Sequence, residues 1–261
     1  MGVISVSDLG RFLYCPRQVY LESFLGLGSP QTLEMGRGVV GHAVRRELSM
    51  RQRRLMERIS SANDVDDLLV RELDAVLEDI PYIFAEKWSA GYGMFLPEVR
   101  LEMLSELEGL KADLSAMAEE LGFEATLEYL TPWKTEYTVC SNSLRLKGRV
   151  DKVMRMPGIV PIDIKTGKVS ELFREGDRIQ LCAYGMLLEE TFNTKIPHGF
   201  LEYTRIQERR PVVFSQKLRR QVVLIRDQVA ETLSGMEPPV CPHGQPKKCD
   251  ACRLNRICYR T

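Results

Sequence analysis

The sequence predicts a mixed α/β fold, on three observations. Apolar residues recur at helical spacing through residues 62–80 (Val65, Leu68, Leu69, Leu73, Val76, Leu77) and 98–121 (Leu101, Leu104, Leu107, Leu110, Leu114). From Ala125 the pattern changes to β-branched and aromatic residues in partial alternation, punctuated by turn residues such as Pro157-Gly158. A helical stripe from Gly176 to Glu190 then separates these strands from a second strand pair, as expected where strands and helices share one sheet.

In chain order, Ser5 to Gly26 is predicted as a helix-rich opening, with Ser5 or Ser7 as cap and Gly26 and Gly28 as stops. Met35 to Ile59 follows as a second helical region, entered through Gly36, Gly38 and Gly41. The helices over 62–80 and 98–121 bracket Pro81 to Pro97, an aromatic-rich loop. Ala125 to Val139, Ser143 to Met156 and Ile159 to Ile164 form a predicted three-strand meander. After the Gly176–Glu190 helix, Gly199 to Ile206 and Pro211 to Ser215 read as a hairpin. Leu218 to Leu233 is the last long helix, and Pro238-Pro239 links it to a cysteine-rich tail.

At 261 residues and 44% hydrophobic, the chain can bury a sizeable core. It has no run of about 18 apolar residues, so no membrane span is expected. Seven cysteines without an export signal point to reduced thiols or a metal cluster rather than a disulfide framework, and to a cytoplasmic location. Net charge is zero but uneven. Residues 61–128 carry 17 acidic side chains against four basic ones, a net of −13, and leave the remainder at +13. A basic body suits contact with a phosphate backbone, and Arg45, Arg46, Arg53, Arg54, Arg209, Arg210, Arg219 and Arg220 are the candidates for such a track.

The chemistry-bearing residues fall mostly in the strand region. Asp151 ends the phrase Gly148-Arg149-Val150-Asp151, and Asp163-Ile164-Lys165 follows across the Pro157-Gly158 turn. Alternate residues of a strand share a face, so Asp163 and Lys165 point the same way, and a hairpin brings Asp151 beside them. Two converging carboxylates repel unless a cation intervenes, and a hard divalent ion with oxygen ligands meets that need. Lys165 can then position or deprotonate an attacking water. Gln180 and Tyr184 are four apart on one helix face. His42 precedes this core on a helix and can complete a metal shell.

The cysteines admit two assignments. Zinc can take the local quartet Cys241, Cys249, Cys252 and Cys258. An iron–sulfur cluster can take Cys15 with the closing C-x2-C-x5-C run of Cys249, Cys252 and Cys258. Cys140 and Cys182 are expected as small core residues.

The order His42, Gly148-Arg149-Val150-Asp151, Asp163-Ile164-Lys165, Gln180-x3-Tyr184 and C-x2-C-x5-C resembles the PD-(D/E)xK nucleases of the RecB type. The early Cys15 with the closing trio resembles their iron–sulfur subgroup, which includes CRISPR-associated single-strand exonucleases and the nuclease domains of AddB-type helicases. The resemblance covers residues 1–45 and 140–261. It implies a restriction-endonuclease-like nuclease core at 129–237, behind an N-terminal helical region at 1–60 and an acidic helical insertion at 61–128. The tail at 238–261 would be a staple holding a 4Fe-4S cluster on Cys15, Cys249, Cys252 and Cys258. It implies Mg²⁺ or Mn²⁺ on His42, Asp151, Asp163 and the Ile164 carbonyl, with Lys165, Gln180 and Tyr184 as catalytic residues. The implied substrate is single-stranded DNA and the implied partner the CRISPR integrase complex. A repair nuclease working beside a helicase, and a non-catalytic DNA-binding subunit, are the alternative expectations.

Overall fold

The computed structural model of the chain describes residues 2–28, 33–61, 63–85, 91–167, 174–250 and 252–260; of these, the side chains of 33–35, 53 and 156 are excepted. Its frame is a six-stranded mixed sheet. The strands are β1 (Ile4–Ser5), β2 (Lys134–Ser141), β3 (Leu146–Met156), β4 (Gly158–Lys165), β5 (His198–Tyr203) and β6 (Glu208–Val213). β2, β3 and β4 run antiparallel as the expected meander, β5 lies parallel to β4, and β6 returns antiparallel.

β3 is the strand on which the sheet turns. Leu146 faces Ser141 of β2 and Ile4 of β1, and Lys152 faces Thr135 of β2 and Ile162 of β4. β1 and β4 therefore occupy successive stretches of one edge of β3, and β2 takes the other. β3–β4 pairing ends at Lys152–Ile162, while β4 continues against β5 to Lys165–Tyr203. The opening between β3 and β4 beyond that last pair is where Asp151 and Asp163 lie.

Helix α1 (Val6–Tyr14) and the short α2 (Pro16–Val19) follow β1 directly. Then come α3 (Leu33–Met56), α4 (Arg71–Ile83), α5 (Leu96–Leu121) and α6 (Phe123–Leu130). α7 (Glu175–Phe192) makes the crossover from β4 to β5, and α8 (Gln216–Leu233) follows β6. Two short helices, α9 (Pro246–Asp250) and α10 (Asn255–Cys258), lie in the tail. None of the described helices is long and apolar enough to cross a membrane.

Two large apolar cores form among the described residues. One joins the sheet to α1, α7 and α8 through residues such as Val6, Leu9, Val150, Ile179, Leu187 and Val222. The other joins α3, α4 and α5 through Val44, Leu69, Leu73, Val76, Ile80 and Leu114. Burying each such side chain contributes roughly 1.5–3 kcal/mol, so the stripe at 62–80 and most of that at 98–121 are packing surfaces; Leu101, expected in the second stripe, is instead 67% exposed.

Two elements differ from expectation. Phe123 to Leu130 is helical rather than the start of a strand. Phe123, Leu127 and Leu130 fall at helical spacing and pack on the second core, and Gly122 at φ 81° breaks the chain from α5 so that a new helix can start. Pro81 lies inside α4, near its end, rather than opening a loop. Cys140 is exposed on β2, next to buried Val139, because the strand alternates faces; Cys182 is buried in α7 as expected.

Candidate active site and cysteine tail

Asp163 lies on β4, whose central residues are buried on both faces, and is 3% exposed. Asp151 on β3 reaches across the opening, and its Oδ2 accepts the backbone N–H of Ile164 at 2.7 Å. The Lys165 ammonium pairs with Asp163 Oδ2 at 2.7 Å and with Asp177 at 2.9 Å. From α7, Gln180 Nε2 donates to Asp163 Oδ1 at 3.3 Å and to the Tyr184 hydroxyl at 3.4 Å. Together with His42, Thr166 and Tyr203 these residues line a cavity of about 350 Å³.

Glycines let α7 approach this closely. A Cβ on Gly148 would lie 2.6 Å from the Tyr184 ring and 3.2 Å from Val6, so only glycine lets Tyr184 pack across β3. A Cβ on Gly176 would meet the Gly10 backbone at 3.2 Å, where α7 begins against α1.

The electrostatics follow from burial. Asp151 is pushed up to about 8 by burial and then by the neighbouring Asp163 carboxylate. Asp163 is also raised, by burial against the opposing pull of Lys165. Burial would lower Lys165, but Asp163 and Asp177 outweigh it and hold the ammonium charged. His42 is lowered to about 4 by burial and then by Arg45, Lys165 and Arg149, so its imidazole is neutral near pH 7. Burial, with Asp163 and Asp151, raises Tyr184.

These features suit a divalent cation. Asp163 Oδ2 is buried, and its partner is the Lys165 ammonium at 2.7 Å. Two carboxylates that resist ionising together, beside a neutral imidazole, form a donor set that a hard cation completes. His42, Asp151 and Asp163 line the same cavity. Ile164 lines the same cavity, its N–H held by Asp151.

Asp177 is the site residue that the sequence reading missed. It stands three residues before Gln180 and seven before Tyr184, on the same face of α7, so helical spacing was signal enough to find it.

The arginines proposed for a DNA track are mostly occupied. Arg45 is 3% exposed and pairs with Glu102 and Glu106 of α5. Arg37 pairs with Glu98 and Glu102, and Arg51 with Glu72 and Asp79. The acidic segment thus neutralises arginines of α3. Arg46 pairs with Glu47, Arg209 with Glu202, Arg210 with Glu208 and Arg219 with Glu189. Arg220 bonds the Gln216 carbonyl, Arg54 is exposed, and the Arg53 side chain lies outside the described residues.

The termini are clasped. Arg17, 2% exposed, pairs with Glu237 and donates to the carbonyls of Pro238 and Cys258. Arg253 pairs with Glu22, and Cys252 and Cys258 pack on Tyr20, Leu21 and Leu254. Cys15 is raised by burial, with further contributions from Cys252 and Cys258 nearby. Among the described residues, three metal-ligating atoms come within 4.8 Å of one another in the group Cys241, His243 and Cys249. The structure therefore brings Cys241 to Cys249, and adds His243, which neither sequence-based assignment included.

The profile described as the PD-(D/E)XK nuclease superfamily matches residues 3–259. The chain belongs to that superfamily. A CRISPR-associated exonuclease Cas4/endonuclease Cas1 fusion of Geobacter sulfurreducens is 34% identical over 132 residues, 46% of this chain and 22% of the relative. A CRISPR-associated exonuclease Cas4 of Aeropyrum pernix is 32% identical over 125 residues, 45% of this chain and 61% of the relative. The aligned stretches span less than two thirds of either relative's length. The crystal structure of SSO0001 aligns with 63% of this superfamily member and 78% of its own chain, at 20% identity and a TM-score of 0.35.

Proposed function

We propose that the chain is a metal-dependent deoxyribonuclease that degrades single-stranded DNA from its ends and trims DNA for CRISPR spacer acquisition. One observation carries the chemistry: the half-buried Asp151 and buried Asp163 carboxylates face a common cavity with the Lys165 ammonium between Asp163 and Asp177. The CRISPR setting is supported by the names of the two relatives.

Each residue then has a task. Asp151, Asp163, neutral His42 and the Ile164 carbonyl would hold Mg²⁺ or Mn²⁺. The bound ion supplies Lewis-acid charge at the scissile phosphate. Lys165 orients the attacking water and offsets charge developing on the phosphate. Gln180 fixes the Asp163 carboxylate from α7, and the Tyr184 hydroxyl, kept protonated, remains a hydrogen-bond donor for a phosphate oxygen. Asp177 holds the far side of the Lys165 ammonium.

Cys15, Cys249, Cys252 and Cys258 would carry a 4Fe-4S cluster that closes the clasp between the termini. The partner would be the CRISPR integrase, a reading supported by the fusion of one relative to an endonuclease Cas1. Incubation of end-labelled single-stranded DNA with the protein, with and without Mn²⁺, tests the activity; co-purification with the integrase tests the partner.

A further inference from the structure

The catalytic cavity continues into a groove toward the cysteine tail, sharing Arg174, Asp177 and Gln180 with it. The far end of that groove is formed by Tyr14 and Lys248. Tyr14 is 47% exposed, and the Lys248 ammonium lies 4.1 Å from its ring centroid. An aromatic face and a cation, one groove away from the proposed cleavage site, are the two elements that grip a nucleotide of a single strand: the face takes the base and the cation takes the phosphate.

We infer that Tyr14 and Lys248 form a base-stacking subsite for the single-stranded DNA substrate, set off from the scissile phosphate along this groove. The inference rests on the nuclease function proposed above. In the free protein the ammonium covers the ring; a bound base takes the ring face, and Lys248 moves to the adjoining phosphate. Arg11, Arg174 and Lys248 line the groove against two acids, Glu175 and Asp177, and Asp177 is paired with Lys165. Duplex DNA offers no free base face, so the subsite selects single strands.

The chain position of the pair adds a consequence. Tyr14 immediately precedes Cys15, and Lys248 immediately precedes Cys249. The two halves of the subsite come from opposite ends of the chain, and the clasp that joins the termini sets the spacing between ring and ammonium.

The test measures binding by the full-length protein, purified without oxygen and assayed without added divalent metal to prevent cleavage. Short oligodeoxynucleotides with one abasic position, moved along the strand, are compared with the intact strand by fluorescence anisotropy. The expected result is a loss of roughly ten-fold at one register. Tyr14→Leu should weaken the intact strand by a similar factor and abolish the abasic penalty at that register, while Tyr14→Phe keeps both. Lys248→Ala should lower the slope of log affinity against log salt by about one. Thermal melting and iron content of each variant separate loss of the subsite from loss of the clasp. Tight binding with an abasic penalty that persists in Tyr14→Leu would overturn the subsite and leave the nuclease proposal standing. Absence of single-strand binding by the parent protein would instead overturn the nuclease proposal.

Discussion

Asp151 on β3 accepts the backbone N–H of Ile164 on β4 at 2.7 Å, just beyond the last backbone pair between the two strands. That bond fixes the carboxylate facing Asp163 at the cost of crowding two acids in a buried place. Several consequences of the crowding can be measured.

The first is a pH dependence that metal should remove. Asp151 stands at about 8 against an ordinary 3.8, so the metal-free folded state binds more protons than the unfolded chain between those values. Its stability therefore falls as pH rises through that window. His42 acts in the opposite sense, at about 4 against 6.5, and adds stability as pH rises from 4 to 6.5. The two oppose each other below pH 6.5; above it His42 no longer titrates, and the raised Asp151 leaves a net loss of stability up to about pH 8. Chelator-treated protein should melt lower at pH 8 than at 6.5. Asp151→Asn should flatten that slope, and Mn²⁺ should stabilise the wild type more at pH 8 than at 6.5.

The second concerns Asp177. Replacing it by Asn removes one of the two carboxylates that hold Lys165, leaving Asp163 to pull the ammonium alone. Cleavage should slow by about ten-fold, mainly in kcat, with single-strand affinity unchanged. Wild-type kcat in Asp177→Asn would remove its positioning role.

The third tests the docking of the acidic segment. Arg45 is buried and held by Glu102 and Glu106, so changing both acids to Gln leaves its charge uncompensated. The double variant should lose about 3–5 kcal/mol, a drop in Tm on the order of 10 °C. A change within a degree or two would mean that water already shields Arg45.

The fourth separates the tail chemistries. Protein purified without oxygen should be brown and contain iron, and Cys15→Ala should lose both colour and thermal stability. Cys241→Ala should keep them. Because Cys241 and His243 lie within reach of Cys249, a colourless protein holding zinc, indifferent to Cys15→Ala but loosened by Cys241→Ala or His243→Ala, would reassign the tail to those residues.

Much of the fold and site was legible because it rests on local rules. Strand alternation places Asp163 and Lys165 on one face, and the Pro157-Gly158 turn returns Asp151 to them. The four-residue spacing of Gln180 and Tyr184 likewise survives into a shared helix face. What was not legible depends on long-range pairing. Arg45, Arg209 and Arg219 look like a basic track in sequence, yet Glu102, Glu202 and Glu189 satisfy each of them inside the fold. The two-residue β1 lies parallel to β3 through a contact 142 residues away, between Ile4 and Leu146, which no local pattern encodes. His243 carries no spacing signal toward Cys249 until the tail folds back on itself.

The central claim is that Asp163 and Lys165 cut DNA with a divalent metal, and one measurement bears on it most directly. End-labelled single-stranded DNA is incubated with Mn²⁺ and wild-type, Asp163→Ala or Lys165→Ala protein, each first shown to be folded and to bind the strand. The wild type should shorten the strand from an end, and only with metal. Both variants should bind but cut at least ~10²-fold more slowly. Metal-independent cutting, or wild-type rates from the Lys165→Ala protein, would contradict the account.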